Sequence, residues 1–327
     1  MTFNQRATGS NPVALTTQTD PGRDNPDKPR TTRTAIIIGM PVSTVSVNAA
    51  QVKAPSFFGC AFGPYVAVWR DPLLLIRMVG REVASKYTGS LAGLFWAVLT
   101  PLLMLAVFTF VFGAMFAPKA VKIDATTDLT AFAKFLFAGL VLHGFLAEVI
   151  TRTPNVVLGN PNLVKKFVLP TELLPLAAVL SAATTTAIGL LVLLIVHAGT
   201  LGALPLTAFL TPLVLLPFLV MMAGVAWFLA AIGVFLRDIG HVTGLLATVL
   251  LFLGPVFYKI DTLPEKVRAV VYLNPLTVPI QGLRQVLLDG TSPDWSALGI
   301  YAIVAFIVAW IGFYIFVRCK RVFADVI

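Results

Sequence analysis

The sequence lacks the short motifs by which a chain could hold ATP or carry out chemistry on its own. Its 327 residues contain no Gly-x-x-x-x-Gly-Lys-Ser/Thr loop, no Gly-x-Ser-x-Gly elbow and no His-Glu-x-x-His pair. Cysteine occurs only as Cys60 and Cys319, and histidine three times. That excludes a disulfide framework and a clustered metal site, and both cysteines are read as inert. Charge is scarce too: 12% of residues are charged and 57% are hydrophobic, far too apolar for a soluble domain of this length. The net charge of +9 does not form a basic stripe interleaved with aromatics, so nucleic acid is not a partner. The basic residues instead flank apolar runs, as the positive-inside rule places them. Few acids lie inside those runs, which leaves little for catalysis or ion coupling; if the chain transports something, another subunit supplies the energy.

What is present is a polar N-terminal extension followed by a membrane domain. Residues 1–60 are rich in Thr, Pro, Asn and Asp and cannot bury enough apolar surface to offset chain entropy, so they are expected to be disordered. The apolar patch 35–47 is short and broken by Gly39 and Pro41, and it lies too far along the chain for a signal peptide. Residues 61–327 form the membrane domain.

The expected fold class is an all-α membrane protein with six transmembrane helices. From Tyr87 to Pro118 there is no Asp, Glu, Lys or Arg, which gives a first span at about 91–113 with Pro101 inside it. The second, about 129–151, carries Lys134, His143 and Glu148; the two charged chains can snorkel to opposite interfaces, and a neutral His143 can bond across helices. Between Leu173 and Leu236 the sole titratable residue is His197, so two spans fit, at 173–196 and 206–236. A fifth at 242–258 and a sixth at 295–317 complete the set, the last ending in Arg318, Lys320 and Arg321.

Three further segments do not span. Residues 69–87 read as an amphipathic interface helix, with Leu75, Val79 and Val83 on one side and Arg77, Arg81 and Ser85 on the other. After the second span, Thr153 and Pro154 start a short helix over Pro154, Asn155, Val156, Val157 and Leu158, and Gly159-Asn160-Pro161 ends it. With Lys165 and Lys166 beyond, this is a docking element on a cytoplasmic loop. Residues 269–283 are apolar but too short to cross and are broken by Pro275 and Pro279, which fits an external re-entrant hairpin flanked by Arg284. From residue 61 onward, eleven Lys and Arg fall in the segments assigned inside and seven in those assigned outside. Both termini are therefore placed in the cytoplasm.

Several clusters resemble one family. Lys86, Tyr87, Gly89, Ser90, Leu91, Gly93, Leu94, Trp96, Pro101 and Phe108–Gly113 form the first. Asn162, Leu163, Lys165, Lys166, Leu169, Pro170, Glu172, Leu174 and Pro175 form the second, and Arg237 with Asp238 agrees. Pro255, Phe257, Tyr258, Leu263, Pro264, Leu273, Asn274, Pro275, Leu276 and Arg284 form the third. In this order they resemble the permease subunits of ATP-binding-cassette polysaccharide exporters, over about residues 65–320. The resemblance implies export of lipid-linked O-antigen, capsular polysaccharide or teichoic acid across the bacterial inner membrane. It implies a homodimer with the pore between its two copies, and a separate ATPase that binds ATP and Mg while this chain binds no cofactor. By the same resemblance Arg77, Arg81, Lys86 and Tyr87 belong to a gate or interface helix. Residues 154–158 with Lys165 and Lys166 form the element that docks on the ATPase, and Asn274, Pro275 and Arg284 belong to the external hairpin.

Aromatic faces stack on sugar rings without adding charge, so Phe95, Trp96, Phe108, Phe257 and Tyr258 are the candidate channel residues. No catalytic or metal residue is expected. Two alternatives stay open: an ATP-driven exporter of drugs or small lipids, and a membrane-embedded transferase of polyprenyl-linked sugars. The transferase would draw on Glu148, Glu172, Asp238 and His241, which lie at no recognisable spacing.

Overall fold

A computed structural model describes residues 72–88, 95–111, 127–161, 170–201, 204–236 and 238–326. The expected disordered extension 1–60, the residues Lys165 and Lys166, and the side chains of Tyr87 and Phe108 lie outside what is described. Among the described residues there are nine α-helices and no strand. They are α1 (Pro72–Tyr87), α2 (Phe95–Phe110), α3 (Thr127–Arg152), α4 (Leu173–Leu201), α5 (Thr211–Phe235), α6 (Ile239–Leu253), α7 (Glu265–Tyr272), α8 (Thr277–Leu287) and α9 (Trp295–Val326).

Four segments are long and apolar enough to cross a membrane: Thr130–Asn155, Leu173–Thr200, Leu206–Phe235 and Trp295–Phe323. They match the expected second, third, fourth and sixth spans, and the chain is a multi-pass membrane protein. The expected first and fifth spans correspond to shorter apolar helices, Phe95–Val107 and Ile239–Leu253. For the fifth, the expected helix to residue 258 stops at Leu253. Gly254 leaves the helical region at ψ 155°, and Pro255 brings no N–H to continue the ladder. The 15 residues of α6 reach about 22 Å, less than the roughly 30 Å of bilayer hydrocarbon.

The long helices run alternately between two ends of the bundle. The turn end holds the C-termini of α3, α5 and α9 and the start of α4; the hairpin end holds α7, α8 and the start of α9. The most extensive interface is α5 against α9. Small residues let the two backbones touch: a Cβ added at Gly224 would lie 2.5 Å from Ala309 Cα, and one at Gly312 would overlap the Gly224 carbonyl.

One core packs Phe145 edge-on against Phe218 with ring centroids 5.3 Å apart, and Leu142 and Leu193 are fully buried in it. A second core, toward the turn end, packs Trp227 edge-on against Phe313 at 5.1 Å. The Trp227 indole donates to the Glu172 carbonyl at 2.9 Å, which satisfies its polar atom inside that core. Large apolar side chains face outward on every long helix, among them Ile195, Leu213 and Ile303. Water would penalise that surface; bilayer hydrocarbon does not.

Candidate functional site

At the turn end, α3 does not stop and restart. Arg152 runs straight into a single 3-10 turn, Thr153–Asn155, and then into tight turns in which Gly159 N–H donates to Asn155 O at 2.8 Å and Asn160 N–H to Val157 O at 3.2 Å. The expected free-standing helix over 154–158 is thus a compact knuckle on the end of α3. Its start at Thr153-Pro154 and its stop at Gly159-Asn160 fall where the residues place them. Proline at the second position of the turn removes one N–H, which favours a short turn over a continued α-helix.

The knuckle is set rigidly in the bundle. Thr153 and Pro154 are buried, and Val157 is fully enclosed in the second core. Gly233 of α5 presses on the Pro154 backbone so closely that a Cβ there would overlap the Pro154 carbonyl. Asn155 and Gly159 remain exposed, so the knuckle shows a polar outer face on a fixed base.

Beside it four charged side chains meet. Arg152 donates to Glu148 Oε1 at 2.9 Å and to Glu82 Oε2 at 2.8 Å, and Lys86 Nζ lies 2.6 Å from the same Glu148 oxygen. Lys86 donates further to the Ser181 carbonyl at 2.9 Å and to Thr185 Oγ1 at 3.0 Å. The network therefore ties α1 to α3 and α4. Burial lowers the Lys86 pKa from its ordinary value, and the bonded Glu148 carboxylate works against that lowering. The amphipathic reading of α1 agrees with its packing: Leu75 and Met78 are buried in the second core while Arg77 and Arg81 are exposed. A second ion pair, Lys320 Nζ to Glu172 Oε2 at 2.7 Å, joins the end of α9 to the residue just before α4.

At the hairpin end, α7 and α8 form two short helices joined at residues 273–276. Asn274 stitches the joint, its amide donating to Leu250 O at 2.8 Å and its side-chain oxygen accepting from Leu276 N–H at 2.9 Å. Thr277 donates to the Val271 carbonyl, and the Tyr301 hydroxyl donates to Pro275 O at 2.9 Å. Arg284 is 6% exposed and bonds only carbonyls: Phe135 O at 2.9 Å, Val256 O at 2.8 Å and Pro255 O at 2.6 Å. Its guanidinium carbon sits 3.3 Å above the centroid of the Phe135 ring. Asn274, Pro275 and Arg284 are thus brought together, as parts of one clamp on the broken end of α6.

The candidate channel aromatics are not brought together by any described contact. Phe95 and Trp96 are exposed on α2, whereas Phe257 stacks on Phe252 at 5.9 Å and the Tyr258 hydroxyl donates to Leu253 O at 2.8 Å. Two intramembrane groups are engaged structurally. His143 Nε2–H donates to the Ala247 carbonyl at 2.9 Å across to α6, and Lys134, buried rather than snorkelling out, donates to Thr200 Oγ1 at 2.9 Å. Among the described residues no group of three or more His, Cys, Asp or Glu could hold a metal ion. Glu148 and Glu172, two of the acids a transferase would need, are both tied in ion pairs. Sequence reasoning did not pair Glu82 with Arg152, because partners 70 positions apart leave no local pattern.

The described residues thus form a multi-helix bundle with a knuckle at one end and a pair of short helices at the other. Residues 74–288 match the family model of the ABC-2 type transporter membrane domain, and the chain belongs to that family. It is also similar to the O-antigen export system permease protein RfbA of Klebsiella pneumoniae, at 23% identity over 78% of this chain and 95% of that one. The protein of the same name from Myxococcus xanthus is 26% identical over 77% of this chain and 94% of its own length.

Proposed function

We propose that the chain is the permease of an exporter that carries lipid-linked polysaccharide of the O-antigen, capsule or teichoic-acid type across the bacterial inner membrane. The observation that carries this reading is the alignment with two O-antigen export permeases over nearly their whole length. In this reading the chain acts as a homodimer with both termini in the cytoplasm, and residues 61–327 are the working domain. A separate ATPase binds ATP and Mg and docks on residues 154–158 with Lys165 and Lys166.

The geometry supports such a docking point on mechanical grounds. A push on the exposed face of the knuckle meets no compliant layer, because Pro154 bears on Gly233 and Arg152 is continuous with α3. Arg152 passes the same displacement to α1 through Glu82, so the interface helix moves with the knuckle. The aromatic side chains of α2 are the candidates to line the passage.

The test is purification of the tagged full-length chain from its own cells in mild detergent. A Walker-motif ATPase is expected at equal stoichiometry, and it is lost when residues 154–158 are replaced by a Gly-Ser linker. Recovery without any ATPase, repeated after chemical crosslinking, overturns the reading. Alanine at Phe95, Trp96 and Phe108 together is expected to lower the amount of surface polysaccharide; unchanged export removes those residues from the passage.

A further inference from the structure

Toward the hairpin end, α5 and α9 part from their close contact at Gly224 and leave a wedge-shaped cavity of about 520 Å³. Val225 and Val308 line it near the closed end, Ala297 and Val304 line it along α9, and the turn Leu273–Pro275 roofs it. Two of its polar side chains are already engaged: the Tyr301 hydroxyl bonds Pro275 O, and Asn274 bonds Leu250 O and Leu276 N–H. What remains for an occupant is mostly apolar wall. The rim residues Leu273, Ile300 and Val304 are exposed, and on a membrane-spanning helix such faces meet hydrocarbon. An apolar void is unfavourable when empty and does not hold water, so an alkyl chain from the bilayer is the occupant that fits its chemistry.

The charge above the roof says which lipid. Arg268 lies one turn before Tyr272, on the same face of α7, and Tyr272 lines the cavity. Its guanidinium donates to two neutral carbonyls, Asp261 O at 3.3 Å and Leu263 O at 3.2 Å, and its Nε is buried with no partner. Among the described residues no carboxylate pairs with it. A phosphodiester held at the guanidinium would balance the charge that the two carbonyls leave uncompensated.

We infer that this wedge is a binding site for one anionic phospholipid, with an acyl chain between α5 and α9 and the phosphate at Arg268. The inference needs only that the chain spans a membrane, and it stands or falls independently of the cargo. The probes are dioleoyl-phosphatidylglycerol and dioleoyl-phosphatidylcholine, which share the same chains, added to the full-length protein in nonionic detergent and counted by native mass spectrometry. Phosphatidylglycerol is expected to be retained about fivefold more, the factor of one basic residue near the headgroups.

Arg268→Gln brings phosphatidylglycerol down to the phosphatidylcholine level, and Ala297→Phe, which fills the wedge, lowers retention of both. If Ala297→Phe lowers the melting temperature, Val304→Phe at the exposed rim repeats the filling test. Equal retention of the two lipids by the unaltered chain overturns the proposal. So does a phosphatidylglycerol preference that survives Arg268→Gln, or retention untouched by either filling variant.

Discussion

At the turn end two carboxylates and two cations from α1 and α3 meet in one network, whereas at the hairpin end one guanidinium holds three backbone carbonyls and forms no ion pair among the described residues. The two arrangements respond differently to force. Exchanging one carboxylate–cation contact for another in a partly exposed network loses little, because water and the neighbouring charges stay within reach. Withdrawing a buried guanidinium from carbonyls leaves each acceptor dry and unbonded. The charged network beside the knuckle is therefore the easier of the two to rearrange, and the guanidinium clamp at the hairpin end the harder.

The largest effect expected from this contrast is at Arg284. Arg284→Met leaves the carbonyls of Phe135, Pro255 and Val256 without their donor and is expected to cost about 3 kcal/mol or more. Thermal unfolding in detergent reads it as a drop in midpoint, with low yield of folded protein. Arg284→Lys is expected to rescue little, since a single ammonium cannot reach three carbonyls in the fork geometry of a guanidinium. A variant that melts with the unaltered chain would show that the hairpin end is not clamped there.

Next comes the joint between the knuckle and α5. Gly233→Val drives a branched side chain into the Pro154 backbone and is expected to cost about 1–3 kcal/mol through overpacking. Because Pro154 must move, the docking role proposed for the knuckle predicts a loss beyond stability: at matched expression, the amount of surface polysaccharide falls further than the melting shift accounts for. Export that tracks the amount of folded protein would mean the joint is only packing.

These sites differ in how far the sequence reveals them. The helices of the bundle follow from charge-free runs such as 173–236, and the hairpin from an apolar segment too short to cross with Pro275 and Pro279 inside it. The knuckle follows in position from Thr153-Pro154 and Gly159-Asn160, but not in form, since its continuity with α3 depends on packing against Gly233. The early end of α6 is set by Gly254-Pro255, a local signal that the apolar Val256-Phe257-Tyr258 conceals by extending the hydrophobic run. Least visible are the polar contacts made over long separations, Glu82 with Arg152 and Arg284 with Phe135, because nothing local marks them.

The smallest effect sharpens the contrast most. Within the turn-end network Lys86 and Glu148 are direct partners, yet their removal is not expected to be equivalent. Burial outweighs pairing at Lys86, since its pKa is lowered overall despite a carboxylate at 2.6 Å. Lys86→Met therefore removes a poorly solvated charge while Glu148 keeps Arg152, and the expected loss is below about 1 kcal/mol. Glu148→Gln does the reverse, leaving Lys86 with neutral acceptors in place of its bonded carboxylate, and is expected to cost about 1–3 kcal/mol. The double variant should then be close to Lys86→Met alone, because the stranded charge is gone. If Lys86→Met proves the more damaging single change, the ammonium is stabilised where it lies, and the turn end is a clamp of the same kind as the hairpin end.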